Sequence, residues 1–235
     1  MEEAVGFRVG IILARALRFH GEFEKSLEHL QRSREIAKRC KILIFEEDIC
    51  DLTCDLADTL RELDDPVSAE QHLRAEITRR DQNCGRLSGG RLLGLCLAES
   101  LFAQRRFKEA EQLCLEIQSR PGLLKLEQLR FHITLAKLRH VDSDDEGAGP
   151  HWAKAMVAVR RFLNETYATR IIVMSVCDIL SRLSVSNNLL LDQSLETLAS
   201  LGKLAKPGGY RCWIAGLRHW VEYLQSGNNF VRSRM

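Results

Sequence analysis

The sequence predicts an all-α solenoid of antiparallel helix pairs, and three observations carry that prediction. A short pattern returns at a near-constant period: Leu13-Ala14 with Leu17, Leu56-Ala57 with Leu60, and Leu97-Ala98 with Leu101. Each copy is followed, 13 residues after its first Leu, by a small residue in a second apolar-periodic stretch: Ser26, Ala69 and Ala110. The chain also has only four Pro and 6% aromatic residues in 235, a composition that suits helices. A fixed period marks stacked supersecondary units, none of which can bury its apolar face alone.

The elements follow in chain order. The first unit, 5–40, turns at Gly21, which can take the left-handed conformation that ends a helix, and resumes with Phe23, Ser26 and Leu30. The second, 46–80, turns at Asp64-Asp65-Pro66, where Asp caps and Pro opens the next helix. In the third, 90–121, Leu93, Leu97, Leu101 and Phe102 recur at three-to-four spacing. After the Gln104-Arg105-Arg106 interruption, Phe107, Ala110, Cys114 and Ile117 share one face, and Pro121-Gly122 stops the helix. Ala at a crossing lets two helix axes approach where a larger side chain would hold them apart.

A fourth unit, 124–166, reads as interrupted. Leu135-Ala136 closes a helix begun near Leu124, and Trp152, Ala155, Val159 and Phe162 reproduce a second helix, but 20 residues rather than 13 separate Leu135 from Ala155. The seven extra residues fall within 141–150, whose Gly, Pro and clustered acids predict a solvated loop. A degenerate fifth pair is expected over 167–205. Pro207-Gly208-Gly209 then breaks the chain before a capping helix, 208–226, with Trp213, Leu217, Trp220, Val221 and Leu224 on one stripe, and a tail, 227–235.

These units resemble tetratricopeptide repeats. The residues that carry the likeness are Leu97-Ala98 with Leu101, then Phe107 with Ala110, then Pro121, with counterparts in the units at Leu13 and Leu56. The small residues recur 43 and 41 residues apart, longer than that family's unit of about 34 and similar to the long-helix arrays of kinesin light chains. The second half also resembles repeat proteins of filamentous fungi. The resemblance implies a right-handed superhelix without catalytic chemistry, holding a protein or peptide segment against the concave row of first helices.

Carried over residue by residue, that face holds Arg15, Asp58 and Glu99, each two places after its repeat Leu, with Lys137 equivalent in the fourth unit. Arg8, Arg18, Arg61 and Phe102 lie on or near it. The competing expectation is a ladder of exposed ion pairs, Arg15 with Asp58 and Glu99 with Lys137, each worth ~0–1 kcal/mol. The paired Lys, Asn and Arg clamp with which chaperone-binding relatives hold a C-terminal carboxylate is absent.

Other chemistry is weakly signalled. The net charge of +2, from 34 basic and 32 acidic residues, favours neither nucleic acid nor an anionic membrane. The longest apolar run, 171–180, falls short of the roughly 20 residues a spanning helix needs. The start lacks a basic region before a long apolar core, so a cytoplasmic protein is expected. Ser233-Arg234-Met235 offers a peroxisomal alternative by its likeness to S-K-L. The eight cysteines are scattered without a close CxxC pair; Cys50 and Cys54 read as small core residues, and no metal or cofactor is expected. His29 and His72 are repeat-equivalent, which argues for packing. The segment from Asp142 to Gly147 opens like a calcium loop, but its twelfth position is Ala153 where a bidentate Glu is needed.

The first helix is apolar on more than one side, whereas a terminal repeat should show a polar outer face. Either further repeats precede it or another chain covers it. Trp213 and Trp220 either cap the other end of the array or are partner anchors, since Trp is enriched at binding hot spots. The leading function is therefore a non-enzymatic interaction scaffold. One alternative is a separately encoded repeat tail of an NTPase-type signalling protein that self-associates through its first helix. A second is an accessory protein or a helical enzyme of a metabolic pathway.

Overall fold

A computed structural model describes residues 2–40, 44–83, 90–119 and 122–160. The chain divides into two compact units, 1–121 and 122–235. The first holds α1 (Glu2–Phe19), α2 (Phe23–Arg39), α3 (Glu46–Glu62), α4 (Pro66–Asn83), α5 (Gly90–Ala103) and α6 (Phe107–Gln118). The second holds α7 (Lys125–Val141) and α8 (Asp145–Arg160). Every regular element among the described residues is an α-helix. The expected fifth pair, the capping helix with Trp213 and Trp220, and the C-terminal tripeptide lie outside the described residues.

The helices pair through one turn used four times. Gly21, Asp64, Arg105 and Ser143 have φ of 81°, 59°, 62° and 60°, each eight residues after its repeat Leu. Their amides donate to the carbonyls of Arg18, Arg61, Phe102 and His140, and the next amides donate to Leu17, Leu60, Leu101 and Arg139, all at 2.9–3.1 Å. This double closure satisfies carbonyls that a helix end would otherwise orphan. Gly21 adopts the left-handed conformation without strain, whereas Arg105 and Ser143 hold it against the clash of a Cβ. Asp65 then caps α4 through Oδ1, 3.0 Å from the Ser68 amide, with Pro66 as the first helical residue.

This shared turn corrects the reading of the fourth unit. No loop spans 141–150: Asp144 accepts the Gly147 amide at 2.9 Å and starts α8 at once, with acidic residues 145 and 146 at the helix's positive end. The small residue 13 places after Leu135 is thus Ala148, fully buried as Ser26, Ala69 and Ala110 are. Ala155, two turns further on, is also fully buried. The fourth unit is regular. Gly147, Gly149 and Pro150 sit inside the first turns of α8, and the N-cap outweighs their reluctance to be helical.

Close approach at the small positions is direct. The Ser26 hydroxyl donates to the Ala14 carbonyl at 2.8 Å, helix to helix, and Ala14, Ala57, Ala98 and Ala136 are all fully buried. Gly94 lies where an added Cβ would come 2.9 Å from Ile117 Cδ1. The first core cluster unites Phe7, Ile11, Ala14, Leu30 and Ala37 with Ile44, Leu52 and Leu56, so units one and two share one apolar interior.

Candidate functional site

The first helices α1, α3 and α5 are joined by a repeated polar device. Arg18 and Arg61 each stand five residues after their repeat Leu, and each reaches the next first helix. Arg18 Nη1 donates to the Asp55 carbonyl at 3.0 Å and to Thr59 Oγ1 at 3.5 Å, while Nη2 donates to Asp55 Oδ1 at 2.9 Å. Arg61 Nη1 donates to the Cys96 carbonyl and to Ser100 Oγ, both at 3.1 Å, while Nη2 meets Glu99 Oε2 at 2.7 Å. The carbonyl and hydroxyl acceptors of the two rungs match position for position, whereas the carboxylates differ: Asp55 is equivalent to Cys96, and Glu99 to Asp58.

The hydroxyls explain the fit. Thr59 and Ser100 donate to the carbonyls of Asp55 and Cys96, four residues back, at 2.8 and 3.0 Å. That fixes each hydroxyl as an acceptor towards the incoming guanidinium. Asp58 links the rungs, lying 3.7 Å from Arg18 Nη1 and pairing directly with Arg61. The first rung is buried, with the Arg18 and Asp55 side chains 3% and 2% exposed, and the second is partly buried, with Arg61 and Glu99 at 14% and 15%. A buried guanidinium is tolerable only when its donors are met, which a carboxylate, a carbonyl and a hydroxyl together achieve.

The ladder therefore runs in a different register from the one expected. Arg15 Nε meets Asp55 Oδ2 at 2.7 Å and Nη2 approaches Asp51 at 3.6 Å, while Asp58 is met by Arg18 and Arg61. Glu99 is met by Arg61. Lys137 is half-buried on α7 in the second unit. Phe102 occupies the ladder position of unit three; it is buried and meets Phe107 in a tilted ring contact, with centroids 5.2 Å apart and planes at 59°. Asp55, Thr59 and Ser100 were missed, although their repeat spacing relative to Arg18 and Arg61 was present in the sequence.

What the face leaves open is a rim. Arg8 extends to Asp48 at 3.2 Å and lies over the exposed Phe45 ring, 5.9 Å from its centroid. Arg15 and Asp51 remain 44% and 53% exposed. Partial desolvation holds the Asp51 carboxyl above the usual range, and Asp55 and Asp48 add to this against the pull of Arg15. Asp48, Asp51, Asp55 and Asp58 form one acidic stripe of α3 at three-to-four spacing.

A second seam joins units two and three. Glu70 on α4 accepts from Gln104 and Arg106, both at 2.7 Å, and from Arg74. Burial raises the Glu70 carboxyl, but these hydrogen bonds outweigh it and hold it below its ordinary range. His72 meets Arg34 of α2 at 2.9 Å, and His29 is half-buried on α2. Cys50 and Cys54 are core residues, and burial pushes the Cys50 thiol up to about 12, which keeps it protonated. Within the second unit, His132 of α7 and His151 of α8 bring their Nδ1 atoms to 3.2 Å. Among the described residues no group of three or more His, Cys, Asp or Glu could hold a metal. Nor is any described helix long and apolar enough to cross a membrane.

No protein-family model matches the chain. Neither does any curated protein. Solved structures do. Crystallised, nearly identical TPR-like repeats of a kinesin light chain from Podospora anserina superpose with a TM-score of 0.52 at 15% identity, covering 100% of this chain and 98% of that one. BtubC (BKLC) from P. vanneervenii aligns with a TM-score of 0.47 at 17% identity, over 93% of this chain and 91% of its own. The first likeness shows the fold: an all-α, TPR-like array of helical repeats.

Proposed function

We propose that this chain is a non-enzymatic scaffold that receives an extended protein segment along the row of first helices. Arrays of this fold typically serve protein–protein interaction, and one observation supports the row of first helices as the face that does so here. The buried arginine ladder fixes α1, α3 and α5 in register and leaves Arg8, Arg15 and Asp51 at the open edge of the same face.

A rigid row of helices lets a segment bind without ordering the receptor first, which spares part of the entropic cost of association. The acidic stripe of α3 sets the chemistry of the segment. Asp51 is its most exposed member, with Arg15 no nearer than 3.6 Å, and a Lys or Arg placed against it would relieve the crowding of negative charge. Arg8 and Arg15 flank that point and suit an acidic or carbonyl group one or two residues away on the segment. Arg18, Arg61 and Phe102 support the face from beneath, because their side chains are already enclosed.

The test is a tiled library of peptides carrying Lys or Arg at varied spacing, assayed for binding to the full chain and to Asp51→Lys. The reading expects basic peptides to bind the wild type, with at least tenfold weaker binding to the variant at unchanged helicity. Binding that ignores Asp51→Lys would remove the acidic stripe from the account, and an absence of peptide binding altogether would remove the face.

A further inference from the structure

We infer that the outward face of α1 is a self-association surface, closed by α1 of a second copy of this chain in antiparallel two-fold pairing. Val5, Val9 and Ile12 are 59%, 55% and 66% exposed, and Leu13 is 41% exposed beside them. The remaining large exposed apolar residues among those described, Phe45, Val67, Leu115 and Leu124, are scattered over different segments. Among the described residues only α1 presents a continuous stripe, and such a stripe marks a contact surface where single exposed residues do not.

The repeat register shows what kind of surface this is. Val9 and Leu13 are equivalent to Leu52 and Leu56 on α3 and to Leu93 and Leu97 on α5. Those four leucines are 1%, 2%, 0% and 4% exposed, and Leu52 and Leu56 share a core cluster with Phe7, Ile11 and Leu30 of the preceding helix pair. The face of α1 is therefore built for helix-on-helix burial. It is not built for a further arginine rung: where α3 and α5 offer Asp58 with Thr59 and Glu99 with Ser100, α1 has Arg15 and Ala16. A unit ending in a ladder arginine would meet a like charge and find no hydroxyl.

The stripe complements itself instead. Val5, Val9, Ile12 and Ala16 are spaced four, three and four, a sequence that reads the same in both directions. Laid antiparallel, Val5 of one copy faces Ala16 of the other and Val9 faces Ile12, which a two-fold axis generates twice. The flanking arginines do not oppose the approach, because each copy brings its own counter-charges: Asp48 lies 3.2 Å from Arg8, and Asp55 lies 2.7 Å from Arg15.

Sedimentation velocity on the full chain over a wide concentration range tests this. The wild type should move from monomer towards a species of doubled mass. Ile12→Glu and Val9→Lys should each be monomeric with unchanged circular dichroism, and Leu115→Glu on α6 should associate like the wild type. Mixing the two α1 variants in equal amounts should restore the doubled mass, because the introduced charges face one another only in the antiparallel arrangement. A wild type that is monomeric throughout, association that survives Ile12→Glu, or a mixture that stays monomeric would each overturn the inference. Peptide binding at the acidic stripe is read separately and should persist in Val9→Lys, which is neither three nor four residues from Arg8 or Arg15, so the two surfaces can fail independently.

Discussion

The joints among α1, α3 and α5 and the joint between α7 and α8 both bury polar side chains, but they do so with different chemistry. The first uses Arg18 and Arg61, charged at any pH a protein meets, with donors taken up by carboxylates, carbonyls and hydroxyls. The second uses His132 and His151, whose Nδ1 atoms lie 3.2 Å apart, a contact that requires at least one nitrogen to lack its proton. The joints between successive units are thus insensitive to proton concentration around neutrality, whereas the joint within the fourth helix pair responds as pH falls below about 6.5. The ladder positions diverge together: α7 carries Lys137 and Leu138 where α5 carries Glu99 and Ser100, and unit three carries Phe102 where its predecessors carry arginine.

The strongest way to break this comparison is to remove an acceptor from the ladder. Asp55→Ala should cost about 3 kcal/mol in urea unfolding, because it takes the nearest carboxylate from a buried guanidinium, leaving Asp58 at 3.7 Å, and also releases Arg15. Arg61→Met should cost less, about 2 kcal/mol, since Asp58 keeps Arg18 and Glu99 is nearer to water. A loss of under about 0.5 kcal/mol in both, as for ordinary surface changes, would show that the ladder contributes nothing.

Acid should act on the other joint. Burial, with smaller contributions from His151 and Lys154, lowers the His132 imidazole from 6.5 to about 4. Burial, with Lys154 and Arg139, lowers His151. A folded pKa below the unfolded one means that the unfolded chain binds more protons through the interval. The stabilising contribution is therefore present above about 6.5 and is lost as pH falls towards about 4. Hydrogen exchange should show α7 and α8 losing protection over that interval while the ladder helices α1, α3 and α5 keep theirs, and His132→Leu should flatten the dependence. Equal loss in both regions would erase the distinction. The smallest effect belongs to the shared turn: Arg105→Gly should raise stability by up to about 1 kcal/mol by relieving a left-handed backbone, measured as a higher urea midpoint.

Most of the helical architecture was legible because the information repeats. Leu, Ala and Leu recur with a small residue 13 places on, and each copy corroborates the others. The misreading of the fourth unit came from weighing Gly147, Gly149 and Pro150 as loop formers and taking Ala155 for the small position. The competing signal was local and short, one N-cap aspartate at Asp144 and two acids after it. The site was less legible. Asp55 and Asp58 lie three residues apart, about 60° apart on the helix, and no pattern in one helix says which of them turns towards its neighbour. The ladder becomes visible only when Arg18 and Arg61 are compared with Thr59 and Ser100 across units, since a hydroxyl three places after the repeat Leu marks the receiving side.

Native-state hydrogen exchange, residue by residue, on the wild type and on Asp55→Ala tests most directly whether the ladder joins the first helices into one cooperative body. The ladder predicts that amides in α1, α3 and α5 share one opening free energy, and that Asp55→Ala lowers it in all three helices together. Loss of protection confined to α1 and α2, with α3 and α5 unchanged, would contradict it.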